Sequence, residues 1–237
     1  MKIKIHDPHD SLYKLSFRIA LAYDKLKTDF PNWKPNDARI TAYAYCVNTI
    51  ESVLFSMIFK KNQLGDRKWY ANIRYITSPS DSQIFSVQEN YDAFLMVALV
   101  TEYFACFEIF FRNIINVLFP GYTKNKIFEI CEDILEELKL KQYQSKFDLY
   151  RFTRNSLHNN GVVTDKHAYS ILYNGVWYDF TYGKKINVDW LMLCQLSAEL
   201  EECLNKIIYS TRISKPDFIK DSSYPEGDPP IGRFVLK

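Results

Sequence analysis

Residues 151–161 read Arg-Phe-Thr-Arg-Asn-Ser-Leu-His-Asn-Asn-Gly, the densest run of chemically capable side chains in the sequence. Arg151, Arg154, Asn155 and His158 stand at i, i+3, i+4 and i+7, so a helix would gather all four on one face. A pair of guanidinium groups can grip a phosphate through forked hydrogen bonds. An imidazole titrates near neutrality and can move a proton. Asn155 can orient the ring or a substrate hydroxyl. Together these groups suit phosphodiester transesterification, in which a 2′-hydroxyl is activated and a crowded, charged phosphorus centre is stabilised, with no metal or other cofactor required. The competing reading is a plain helix end, because arginine and histidine favour helix C-termini and Asn159, Asn160 and Gly161 are good turn formers.

Other chemistry is thinly represented. There is no Walker loop, dinucleotide-binding glycine pattern or nucleophile elbow, which argues against an NTPase, a dehydrogenase and a serine hydrolase. Cys46, Cys106, Cys131, Cys194 and Cys203 include no closely spaced pair, and each falls in an apolar helical context, as expected of buried, reduced thiols in a cytoplasmic protein. Glu108 and Arg112 are spaced for an intrahelical ion pair, or for a supporting contact to His158 if their helices meet. Asn159, Lys184 and Lys185 are candidate substrate contacts, the lysines because Tyr178, Phe180 and Tyr182 lie beside them and could stack on single-stranded RNA. Those aromatics fit a hairpin packed on the bundle at least as well.

The elements that must position these groups follow from periodicity. Helical spacing predicts helices over 11–30, 37–62, 87–119, 124–139 and 142–159, and from Asp189 to about residue 211. The run 87–119 is apolar nearly all round, as befits the centre of a bundle. Glu102 and Glu108 argue against its crossing a membrane. Residues 68–77 are aromatic and β-branched, so a strand or extended segment is expected there. Asn174-Gly175 between two such runs predicts a hairpin over 168–182 through a type I′ turn. The fold class is therefore mainly α, a helical bundle with a β-hairpin inserted between its last two helices. The expected organisation is N-terminal helices over 1–84, a helical domain over 85–213 and an extended or disordered tail over 214–237.

Composition agrees. The chain has 237 residues, 30 basic against 28 acidic side chains, and a net charge of +2, which suits a globular protein and not one that coats nucleic acid indiscriminately. Seventeen tyrosines and seventeen phenylalanines against seven glycines imply long elements with bulky packing surfaces.

Arg-Asn followed shortly by His, near the end of a late helix in an all-α bundle, resembles the HEPN superfamily (higher eukaryote and prokaryote nucleotide-binding domains). The resemblance covers roughly residues 85–213. It implies a metal-independent endoribonuclease, a toxin or antiphage defence effector, acting on RNA. It further implies a homodimer that joins two motifs in one cleft, and an antitoxin or another defence protein as partner. The family separates its Arg and His by four to six residues. Here Arg154 and His158 are separated by three, and Arg151 and His158 by six, but Phe152 takes the place of the polar follower that Asn155 supplies after Arg154. The alternative is a non-catalytic binding or scaffold module, since such members exist.

Overall fold

The computed structural model describes residues 8–74 and 78–223. The order is α1 (Pro8–Asp29), α2 (Ala38–Gln63), α3 (Arg67–Arg74), α4 (Asp81–Leu118), α5 (Ile127–Glu137), α6 (Gln144–His158), β1 (Tyr169–Tyr173), β2 (Val176–Phe180), α7 (Trp190–Ile208) and α8 (Thr211–Ser214), with a single 3₁₀ turn at Lys141–Tyr143 leading into α6. The fold is thus a helical bundle with a two-stranded antiparallel hairpin between α6 and α7.

The long α4 is the axis. Ser80 accepts from the Gln83 amide and Gln83 returns a bond to the Ser80 amide, a reciprocal cap that fixes where the helix starts. From there α4 packs against α2, α5, α6, α7 and α8. Leu99, Tyr103, Phe107, Phe110, Phe111 and Ile114 are buried along it. Length and composition alone would let α2 and α4 cross a membrane, but here their buried apolar residues form part of the bundle core. That core is one continuous cluster running from α1 to Ile219. The expected boundary at 84/85 falls within the first turns of α4. All five cysteines are buried and unpaired.

One segment departs from expectation, and a second is more closely held than its sequence suggests. Residues 67–74 form α3 and not a strand; 75–77 lie outside the described residues. Asp66 Oδ1 accepts the Lys68 amide at 2.9 Å, and the wholly buried Tyr70 donates its hydroxyl to the Leu64 carbonyl at 3.0 Å. Local capping and tertiary packing here override β-propensity. The tail expected to be extended or disordered from residue 214 has no helix or strand over 215–223, but that stretch is packed against the bundle. The Ala38 amide donates to the Ile219 carbonyl at 2.8 Å, and Ile219 and Asp221 are buried. Residues 224–237 lie outside the described residues.

What anchors that segment is a buried ion pair. Arg39 Nη2 meets Asp37 Oδ2 at 2.6 Å with both side chains fully shielded. Asp37 also caps α2 by accepting the Arg39 amide. Arg39 Nη1 donates to the Ile213 and Pro216 carbonyls at 2.8 and 2.9 Å, and its guanidinium lies 3.5 Å from the Trp33 ring centroid. The charge is therefore both paired and hydrogen-bonded, as a buried ion must be.

The hairpin forms through the predicted turn. Asn174 and Gly175 both have positive φ, 49° and 78°, as type I′ demands. It docks on α6 through Phe152, whose ring lies 4.4 Å from Tyr169 and 5.2 Å from Phe180. Tyr173 adds a bond to Glu199 of α7 at 3.1 Å.

Candidate functional site

α4 and α6 pack antiparallel, and this sets what His158 can touch. Phe107 and Phe111 meet Phe147, Phe104 stacks on Tyr150, and Thr101 reaches His158. His158 Nε2 lies 3.4 Å from Thr101 Oγ1. The supporting contact considered from Glu108 or Arg112 is absent. Arg112 instead pairs with Glu108 at 2.8 Å and donates to the Asn125 carbonyl. The antiparallel crossing carries those two residues to the opposite end of the α4–α6 contact.

α6 ends in a Schellman arrangement. The Gly161 amide donates to the Ser156 carbonyl at 2.9 Å and the Asn160 amide to the Leu157 carbonyl at 3.1 Å. The left-handed residue just past the helix is Asn160 (φ 57°), with Gly161 (φ 79°) following, so the cap sits one residue earlier than the glycine suggested. This tight reversal sends the chain back along α6, and an open cleft of about 290 Å³ forms between them. Asn155, His158 and Asn159 line it from the helix, and Thr164 and Asp165 from the returning loop. Asn155 and His158 are both exposed.

The expected shared face therefore divides. His158 and Asn155 open into the cleft, whereas Arg151 lines a narrow crevice between α4, α5 and α6. Arg151 pairs with Asp148 at 3.1 Å and lies over Phe152 at 4.1 Å. Arg154 lines neither space; it is half-buried, with its guanidinium 5.5 Å from the Phe104 ring centroid. Its Nε is buried without a partner, and among the described residues no carboxylate pairs with it. It is a cation held in place by packing, one turn from His158, with hydrogen-bonding capacity to spare.

Asn159 lines the cleft but its amide is engaged, donating to the Asn155 carbonyl at 2.7 Å and to Thr164 Oγ1 at 3.2 Å. Lys184 and Lys185 lie on a short ladder with Val162 and Val163, where the Val163 amide donates to the Lys184 carbonyl at 3.0 Å. This puts them behind the cleft wall; neither lines the cleft. Phe180 is buried under the hairpin, while Tyr182 is exposed.

Comparison with family models, with curated proteins and with solved structures finds no match to this chain.

The functional reading therefore stands on these side chains alone. Sequence reasoning missed Thr101, Thr164 and Asp165. Only Asp165 had a local signal, in the run Thr-Asp-Lys-His. Its carboxylate accepts the His167 amide at 3.0 Å, and that bond holds its pKa below the ordinary range. Thr101 lies 57 residues from His158 and carries no signal that spacing could reveal. Among the described residues no group of three or more His, Cys, Asp or Glu side chains is placed to hold a metal ion.

Proposed function

We propose that the chain is a HEPN-like endoribonuclease that cuts RNA by 2′-hydroxyl transesterification without a metal. The observation that carries this reading is the pairing of a solvent-open His158 in a cleft with the partnerless, half-buried Arg154 one turn away. His158 takes the 2′-hydroxyl proton, and the freed oxygen attacks the adjacent phosphorus. The P–O5′ bond breaks, leaving a 2′,3′-cyclic phosphate and a 5′-hydroxyl end. Arg154 holds the phosphate oxygens as charge builds, and Asn155 orients the nucleotide. Asp165 keeps a negative charge in the cleft, which turns a phosphate toward the arginine side. The leaving oxygen needs a proton. One histidine per site cannot serve as both acid and base at once, so a homodimer joining two copies of His158 in one cleft completes the chemistry. A cytoplasmic toxin or antiphage defence effector, held by an antitoxin or a defence-system partner, fits such an activity.

A second reading, a non-catalytic binding module, is favoured by the engagement of Asn159 with Asn155 and Thr164. Cleavage of total RNA by wild type and His158→Ala separates the two. His158 is exposed, so the variant folds, and loss of general acid–base catalysis lowers cleavage about 10²–10⁴-fold. Equal cleavage by both proteins would leave only the binding module.

A further inference from the structure

A second open groove lies on the other side of the wall that closes the His158 cleft. It runs along β2 and the segment 185–189 that leads into α7, with a volume of about 290 Å³, close to the lower end of about 300–1,000 Å³ typical of ligand clefts. The shared wall is the ladder of residues 161–163 with 183–186. Thr164 faces the cleft, and Lys185 faces the groove. α6 contributes to both, through Phe152 and Ser156 on one side and Thr153 on the other.

Three observations define what this groove would hold. First, Trp177 lines it and is 63% exposed, a large aromatic face with nothing resting on it. Second, Thr153 is wholly buried at the inner wall and its hydroxyl has no hydrogen-bond partner, an uncommon and costly state for a buried polar group. Third, the register pairs Tyr173 with Val176 across the two-residue turn. Hydrogen-bonded and non-bonded pairs alternate from there, so Trp177 and Asp179 turn their backbone N–H and C=O groups to the open edge of the hairpin. The groove thus offers a stacking face beside adjacent donors and acceptors. Its charged lining is Asp179 and Asp189 against Lys185, which is net negative and unsuited to phosphate.

We propose that this groove is a nucleobase subsite, taking the base of a nucleotide next to the one cut in the His158 cleft, with a preference for guanine. The proposal rests on the RNA reading above. The base stacks on Trp177. Its edge meets the exposed backbone of β2, and the guanine N1–H and N2–H pair suits a carboxylate, either Asp179 or Asp189, whose Oδ1 atoms already accept from Ser170 Oγ at 2.6 Å and from the Met192 amide at 2.8 Å, so that Oδ2 would lead the contact. Uracil offers one such donor and guanine three. The phosphate then lies outside the groove, toward the arginine side of the cleft.

The test titrates the full chain with guanosine 5′-monophosphate, uridine 5′-monophosphate and ribose 5-phosphate, following tryptophan fluorescence and calorimetric heat. Guanosine monophosphate is expected to quench fluorescence and to bind about tenfold tighter than uridine monophosphate. Trp177→Ala, at an exposed position that the fold does not need, should abolish the quench and weaken binding about tenfold or more. Thr153→Val is the sharper variant. It removes an unsatisfied buried hydroxyl, so the melting temperature should hold or rise while nucleotide affinity falls several-fold. Ribose 5-phosphate binding as well as the nucleotides, or Trp177→Ala binding guanosine monophosphate like wild type, would overturn the subsite. His158→Ala should bind guanosine monophosphate normally. Intact binding with no RNA cleavage counts only against the catalytic reading, and cleavage without nucleotide binding counts only against the groove.

Discussion

His158 Nε2 and Thr101 Oγ1 lie 3.4 Å apart, which ties the end of α6 to the middle of α4. One ring nitrogen is thereby engaged, and the proposed mechanism assigns the proton transfer to the other. Thr101 is a positioning residue under this arrangement. Thr101→Val should lower turnover about fivefold, the worth of one hydrogen bond of about 1 kcal/mol, with KM unchanged. Thr101→Ser should restore it. Equal kcat in Thr101→Val and wild type would show that the contact does not orient the ring.

The two arginines should separate in kinetics. Arg154 has no carboxylate partner, whereas Arg151 is paired with Asp148. Arg154→Ala should therefore depress kcat strongly. Arg154→Lys should do nearly the same, because a point charge does not replace a planar fork over Phe104. Arg151→Ala should lose packing on Phe152 and lower the melting temperature more than the turnover. The reverse order in steady-state kinetics would make Arg151 the working residue.

A homodimer with α6 at or near its two-fold seam is the expected assembly. Light scattering at high micromolar concentration should give twice the 28.0 kDa chain mass. An engineered mixture of His158→Ala and Arg154→Ala chains should show activity unlike either parent if the two sites share one cleft. A monomer at all concentrations would rule out the shared-histidine mechanism.

Breaking the Asp37–Arg39 pair should be among the costliest single changes in the bundle. Arg39→Met leaves Asp37 buried and unpaired, at a cost of about 3–5 kcal/mol. It also frees the Ile213 and Pro216 carbonyls, so the segment 213–223 should become protease-sensitive first. Urea titration and limited proteolysis measure the two effects. A stability change below about 1 kcal/mol would contradict this account.

Glu201 gives the bundle a pH dependence of defined sign. Its carboxyl is buried, and desolvation raises its pKa above the usual 4.5 despite the ion pair with Arg18 at 2.7 Å. The folded state therefore holds this proton more tightly than the unfolded chain. The stability it contributes is complete below about pH 4.5 and is lost as pH rises through the folded value. The difference in unfolding free energy, wild type minus Glu201→Gln, should fall as pH rises above about 4.5, and Arg18→Ala should steepen that fall. A flat difference curve would show that burial does not perturb this group.

The sequence by itself determined the mainly helical class, the central place of the most apolar run and the hairpin. Each depends on local signals: the 3.6-residue period, a surface apolar nearly all round, and Asn-Gly between two aromatic, β-branched runs. It also placed His158 and Asn155 within one turn of each other. Only the tertiary structure decided which neighbours those residues have. A face four residues wide looks like one surface in sequence, but on α6 it straddles the contact with α4, so Arg151 goes into a crevice while His158 opens to solvent. Thr101 joined the site because two helices cross antiparallel, and α3 replaced a strand because Tyr70 found a buried partner. The segment after residue 214 looked featureless because its anchor, Arg39, lies at the other end of the chain. Contacts between distant residues leave no period in a sequence; they arise when the packed core selects one arrangement among many.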